Sequence, residues 1–361
     1  MTTKTIYFHG YNHYGFDMAR TVAEIVDAGH KNEKVIIDFM SEPFDIREIE
    51  WKHTKFLDIL KNICLTNDWP HEKFKLISYN PSQPEDTWPH MVKTFVAQPF
   101  TIFKDIEKEY DFTKKIKKHF GIFINGSSWP RLWLSSYIYE RHRDRTSQTF
   151  VRKLSNPAHV SNLDLDALVF NFSSEGFIKK LDLGSVVRFL ENVPMTDSQA
   201  DLDDHNVGHF NTQNPVDSVM SPVNDDLLSR YKTIFVDIVC QTMFSGDVFC
   251  PDEKIARCLY TKTPFIIFGG HGAIKKFKRL GFRSFGQWWN EGYDHAPGVN
   301  RLLQITKVIE DLSKLPLSKL EEMYKEMSDV LDHNHMLYQD LCGRKDLNEF
   351  ITNQLKEEKN G

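Results

Sequence analysis

Apolar residues fall in short clusters separated by polar turns along most of this chain. That is the pattern of buried strands alternating with one-sided helices. Ile6 to Phe8 reads as a first strand, followed by a Gly/Asn/His turn and a helix over Phe16 to Ala28. Val35 to Phe39 reads as a second strand, Thr54 to Leu65 as a helix and Phe74 to Ser78 as a third strand. Helical and extended segments go on alternating to about residue 115, which implies a parallel sheet with covering helices. The basic run Lys114, Lys115, Lys117, Lys118 marks a boundary, and Phe120 to Ile124 opens a second sheet. A helix over Leu132 to Arg143, a strand over Ala167 to Phe172 and a largely helical stretch over Ile178 to Leu190 follow.

Pro194 to Asp226 breaks the rhythm. It is rich in Asp, Asn, Ser and Pro with little apolar periodicity, and reads as a surface insertion, with a lid over a cleft as the other reading. Beyond it the pattern sharpens. A β-rich run over Thr233 to Val239 leads through a polar turn to Asp252-Glu253-Lys254, which opens a helix over Glu253 to Tyr260. The strand Phe265 to Phe268 ends in Gly269-Gly270-His271-Gly272 and gives way to a basic helix, Ala273 to Leu280. Two amphipathic segments, Val299 to Leu312 and Leu317 to Leu331, and a last helix over Asp346 to Glu358 complete the chain. Strand, helix, strand, glycines, helix is a parallel-sheet unit, and ligands of such sheets bind beyond the carboxyl ends of the strands. A carboxylate there can hold a ribose diol, and an ammonium or a helix N-terminus can hold a phosphate.

The Glu253-Lys254 pair and the strand PFIIFGG resemble the donor-binding half of the alpha-1,3-fucosyltransferases and related viral and phage glycosyltransferase-like proteins. A second block, HFGIFINGSSWPRLWLSSYIYERH, matches the same family upstream: a strand, a small polar turn with Gly126 and Ser127, Pro130-Arg131, then a helix. The two blocks span about a quarter of the chain. Cys240-Gln241-Thr242 stands where the family carries Glu-Asn. The resemblance implies that Arg131 and Lys254 contact a nucleotide diphosphate, that Glu253 accepts from the ribose, and that Gly269 and Gly270 let backbone approach the ligand. It also implies a catalytic Glu in a first-domain turn, and Glu42 in IIDFMSEPFD is the candidate general base, with Ser before it and Pro directly after. Asp38, Asp45, His9 and His13 are its rivals.

The expected fold is α/β with two Rossmann-like domains, the GT-B architecture. An acceptor-side domain would span 1–115 and a nucleotide-sugar domain 119–335, with 194–226 as the insertion. Residues 336–361 would form a helical segment able to cross back onto the first domain. The expected activity is inverting, metal-independent transfer of a sugar from a GDP- or UDP-type donor to a glycan or other hydroxyl acceptor. Two alternatives stay open: glycosylation of modified phage or viral DNA bases, and a non-catalytic glycan- or partner-binding protein on a degenerate transferase fold.

Composition narrows these readings. The 361 residues suffice for two domains, and 40% hydrophobic residues support a substantial core. A net charge of −5 gives no global pull toward nucleic acid, although Arg141, Arg143 and Arg145 and the run Lys275 to Arg279 form local basic patches. The five cysteines are odd in number and lack C-x-x-C spacing, which fits a reducing compartment. No signal segment opens the chain, and no run approaches the roughly 18 apolar residues of a membrane helix. The expected location is therefore cytoplasmic, bacterial or in the host cytoplasm of a virus. No cofactor is expected beyond the nucleotide-sugar substrate, and no metal: His333 and His335, placed in a late loop, and Asp201, Asp203 and Asp204 lack ligand spacing. Trp288 or Trp289 can stack on a sugar, with core packing as the default.

Overall fold

In the computed structural model two four-stranded parallel sheets organise the chain. It describes residues 2–8, 18–31, 33–39, 45–51, 54–95, 100–103, 111, 113–124, 129–150, 183–193, 195, 225–241, 244, 246–249 and 251–355. The first sheet comprises β1 (Thr3–Tyr7), β2 (Lys34–Asp38), β5 (Phe74–Ser78) and β6 (Met91–Lys93), in the order β1-β2-β5-β6. Helix α1 (Met18–His30) joins the first two strands. A short antiparallel pair, β3 (Glu50–Trp51) and β4 (Thr54–Lys55), and helix α2 (Phe56–Asn67) precede β5. Burial alternates along β2 and β5, with Val35, Ile37, Phe74 and Leu76 inside. Alternation of this kind means that one face carries most of the core.

The second sheet comprises β7 (Lys118–Ile124), β8 (Thr146–Phe150), β9 (Ile234–Cys240) and β10 (Phe265–Phe268), in the order β10-β9-β7-β8. Here β9 and β10 are buried at every position and β7 nearly so, because helices cover both faces. The described helices of this half are α3 (Trp129–His142), α4 (Leu183–Leu190), α5 (Asp225–Tyr231), α6 (Glu253–Tyr260), α7 (Ala273–Arg279), α8 (Gly298–Ser313), α9 (Leu317–Glu326), α10 (Ser328–Gly343) and α11 (Leu347–Gln354). All described pairings within both sheets are parallel.

Two separate cores result. The smaller holds Phe8, Phe39, Phe56 and Trp88 between the first sheet and its helices. The larger surrounds the second sheet and takes in Phe95, Phe100 and Phe103 from the connecting segment. It also takes Leu347, Ile351 and Leu355, so the last described helix packs on the second core and does not cross back to the first. Strand β8, TSQTF, escapes a hydrophobic pattern because its buried polar residues find partners in the fold: Gln148 Nε2 donates to Ser135 O at 3.0 Å and Thr146 Oγ1 to His142 O at 2.9 Å. The amphipathic segment Leu317 to Leu331 is divided at the fully buried Met327 into the end of α9 and the start of α10. His333 and His335 therefore lie on a helix, not in a loop. His335 is held by Gln339 Nε2 at 2.9 Å within the helix and by Leu259 O at 3.1 Å, the latter a contact that exists only once α10 has docked. The expected strand Ala167 to Phe172 and the 194–226 insertion fall almost wholly outside the described residues. Among the described residues no helix is long and apolar enough to cross a membrane.

Candidate functional site

The strand order of the second sheet reverses between β7 and β9: β8 is added on one side of β7, β9 and β10 on the other. Such a reversal leaves a crevice at the carboxyl ends, where ligands of open α/β sheets bind. Arg131, in the first turn of α3, spans it. Its Nη2 donates to Cys240 O at 2.9 Å and its Nε to Gln241 O at 3.2 Å. Arg131, 8% exposed as a residue, thus satisfies carbonyls at the end of β9.

Next to it lies the first turn of α6. Asp252 caps the helix, its Oδ1 accepting from Lys254 N and Ile255 N, both at 3.2 Å. Lys254 Nζ donates to Asp252 Oδ2 at 3.2 Å and to Glu253 Oε1. Burial pushes the Glu253 carboxyl up, but Lys254 and Arg257 outweigh it and hold it well below the usual carboxylate range. Burial pushes the Lys254 ammonium down, and Asp252 and Glu253 more than restore it, with Arg131 close enough to oppose them. Arg131 and Lys254, about 120 positions apart in sequence, thus share one field.

Helix α6 rests on a second buried group. Asp237 Oδ2, in the middle of β9, accepts from Tyr231 OH at 2.7 Å and Cys258 Sγ at 3.4 Å. Its Oδ1 is buried with no hydrogen-bond partner. Burial pushes the Asp237 carboxyl up to about 6 and the neighbouring Lys114 ammonium down to about 7. Arg257 Nε donates to Tyr231 OH at 3.3 Å and completes the group.

The glycine turn after β10 is built for close approach. A Cβ on Gly269 would lie 2.2 Å from Gln241 Oε1, and one on Gly270 2.1 Å from Val248 O. Arg301 clamps the turn from below, with Nη1 donating to Gly269 O and to Phe244 O, the latter at 2.8 Å, and Nε to Ala296 O at 3.0 Å. The free amides at the start of α7 are taken: Asp294 Oδ1 and Oδ2 accept from Ile274 N at 2.8 Å and Lys275 N at 3.0 Å. An internal carboxylate therefore occupies the place where a phosphate would meet this helix. One turn on, Lys276 Nζ donates to Asp247 Oδ1 and to His271 O, the latter at 2.8 Å.

The first sheet closes on this edge with its own strand-end loops. Asn80 and Ser82 follow β5, and Asp45 follows β2; all three are buried. Asn80 Nδ2 and Ser82 Oγ donate to Asp247 O at 3.0 and 3.1 Å, and Asp247 N donates to Asp45 Oδ2 at 3.2 Å. The carboxyl edges of the two sheets thus meet at one seam.

Of the residues expected from sequence, Arg131, Glu253, Lys254, Gly269 and Gly270 lie on this edge of the second sheet. Glu42, Gly126, Ser127, His9, His13 and Asp201 to Asp204 lie outside the described residues. Asp45 reaches the seam, but as a saturated acceptor. Trp289 is buried against Phe285, while Trp288, half-buried on the same core, reaches Glu326 Oε2 at 3.3 Å. Asn80, Ser82, Gln83, Asp247, Asp294 and Arg301 had no part in the sequence reading. The turn NPSQP directly after a strand is a legible signal for the first three; for Asp294 and Arg301 there is none. The described cysteines, Cys64, Cys240, Cys258 and Cys342, are buried thiols outside any disulfide. No group of three metal-ligating side chains occurs among the described residues. No protein-family model, curated protein or solved structure matches the chain.

Proposed function

We propose that this chain is a glycosyltransferase of GT-B architecture that takes a sugar from a GDP- or UDP-type donor. The observation that carries the reading is the β7/β9 reversal with Arg131, Glu253 and Lys254 gathered at its carboxyl edge. The meeting of both sheets' strand-end loops at that edge supports it, since an acceptor held by residues 1–115 then faces a donor held by 119–335.

In this reading Glu253, kept ionised by Lys254, accepts from the ribose hydroxyls. Lys254 meets the diphosphate directly. Two donors of Arg131 are engaged by carbonyls, so its guanidinium contributes mainly through its field, favouring negative charge on the departing nucleotide. The small residues Gly126, Ser127, Gly269 and Gly270 contribute to donor binding, and Glu42 takes the acceptor proton. One displacement inverts the anomeric centre. No metal enters, so transfer persists in excess chelator. The reading places the protein in the cytoplasm, bacterial or of a virus-infected host. A DNA-base acceptor is the less favoured variant on the charge of −5.

The test is calorimetry with GDP and UDP in the presence of chelator. Wild type binds one of them, and Lys254→Ala weakens that binding by about 1.5–3 kcal/mol. Absence of binding to either nucleotide removes the reading. One observation favours the second reading, a non-catalytic binding protein: Asp252 and Asp294 already fill the helix N-termini at this edge. Nucleotide or glycan binding with no donor hydrolysis and no transfer selects it.

A further inference from the structure

The Gly246–Asp247 turn of the second region sits in a polar socket of the first. Gly246 has φ +81°, and a Cβ there would lie 3.0 Å from Asp45 Cβ. Both backbone groups of Asp247 are met: the N–H by Asp45, the carbonyl by Asn80 and Ser82. Asp45 has no spare capacity. Oδ1 accepts from Arg47 N at 3.1 Å, Arg47 Nε at 2.9 Å and Gln83 Nε2 at 3.3 Å, and Oδ2 from Arg47 Nη2 at 2.7 Å as well as Asp247 N. Gln83 is fixed in turn, its Oε1 accepting from Ile46 N at 3.0 Å. On the other side the turn is tied to the glycine loop, with His271 N donating to Gly246 O at 2.9 Å and Lys276 to the Asp247 carboxylate.

We propose that Asp45 is a positioning residue: the centre of a clasp that seats the Gly246–Asp247 turn in the first region and so fixes Asp247 and Lys276 at the crevice. A carboxylate already accepting from five donors is a poor proton acceptor, so Asp45 is not the base. The effect of the clasp on donor binding rests on the transferase reading; the clasp itself does not. Burial pushes the Asp45 carboxyl up, but Arg47 and the Asp247 amide overcome this and hold it below its ordinary value. The charged groups facing it are Arg47, Lys276, the Asp247 carboxylate and Glu48. A lowered carboxyl holds its interactions above its unfolded value and loses them as pH falls through its folded value, so strong acid opens the clasp.

The experiment is ¹⁵N NMR of the full chain, selectively labelled at aspartate and without ligand. In wild type the Asp247 amide resonance shifts as acid protonates Asp45, and its exchange is slow. Asp45→Asn keeps an acceptor for that amide but removes the Asp45 step from its acid titration. Asp45→Ala speeds Asp247 exchange about ten-fold or more, while the Asp237 amide, bonded to Pro264 O in the middle of β9, stays protected. If Asp45→Ala does not fold, Asn80→Ala with Ser82→Ala gives the same acceleration. An Asp247 amide that does not titrate in wild type, or that exchanges as slowly in these variants, overturns the clasp. GDP and UDP calorimetry on Asp45→Asn is a separate readout: an intact clasp with no nucleotide binding in wild type rejects only the transferase reading.

Discussion

The two sheets have the same number of strands and the same parallel sense, yet they are built for different tasks. The first runs β1-β2-β5-β6 in one direction, with alternating burial and a small aromatic core. The second reverses at β7/β9, is buried along nearly all its strands, and buries ionic groups inside. At the seam the first offers a socket of hydrogen-bonding groups, while the second offers cations neutralised by neighbouring carboxylates. In the proposed reading a ligand anion would meet Arg131 and Lys254 of the second region in competition with Asp252 and Glu253. Reversal of strand order creates the crevice; the internal carboxylates set how strongly a ligand must bind to use it.

The largest expected effect tests whether the two cores are independent. Phe56 is fully buried and packs edge-on against Phe8 and Phe39, with ring centroids 5.3 and 5.9 Å away. Phe56→Ala should destabilise the first region by about 3–5 kcal/mol and leave the second nearly untouched. Calorimetry should then resolve two transitions where wild type has one or a narrow pair; a uniform fall of a single transition would merge the cores into one unit. Next comes Arg301→Ala, which strands three carbonyls beneath the glycine turn. A loss of about 3 kcal/mol or more in urea denaturation is expected, confined to the second region.

The third prediction uses pH to sharpen the contrast in buried charge. The Asp237 carboxyl is raised to about 6 in the folded chain from 3.8, with burial the main cause. The folded state holds that proton more tightly than the unfolded one. Its contribution is fully present below pH 3.8 and is lost as pH rises through about 6. Asp237→Asn should remove a fall of about 3 kcal/mol across that window and exceed wild type in stability at pH 8. Parallel slopes for the two proteins in urea titrations from pH 4 to 8 would refute it. The smallest effect is a control at the surface of the same region: Met336→Ala, at an exposed position on α10, should shift stability by no more than about 0.5 kcal/mol in the same urea assay.

Hydrophobic period alone located β5, α6 and β10 to the residue, because each is a short apolar run or an amphipathic turn bounded by Pro, Gly or a capping Asp. It missed β8, whose Thr and Gln are buried only because Ser135 O and His142 O meet them, and it cut α10 short at its histidines for the same reason. Site residues divided in the same way. Glu253-Lys254 and the glycines stand out locally, since a helix start and a strand end are local events. Arg131 enters the same field only through the β7/β9 pairing.

What the sequence by itself determined is thus the parallel α/β character, the order of most elements and the location of a charged edge after β9 and β10. These follow from local patterning and from backbone requirements at caps and glycines. Tertiary structure alone decided that the strand order reverses at β7, that Asp294 fills the start of α7, and that Asp45, Asn80 and Ser82 receive the Gly246–Asp247 turn. Each depends on groups between about 20 and 200 positions apart meeting in a buried setting, where an unpaired polar atom is costly and a partner from anywhere in the chain will serve.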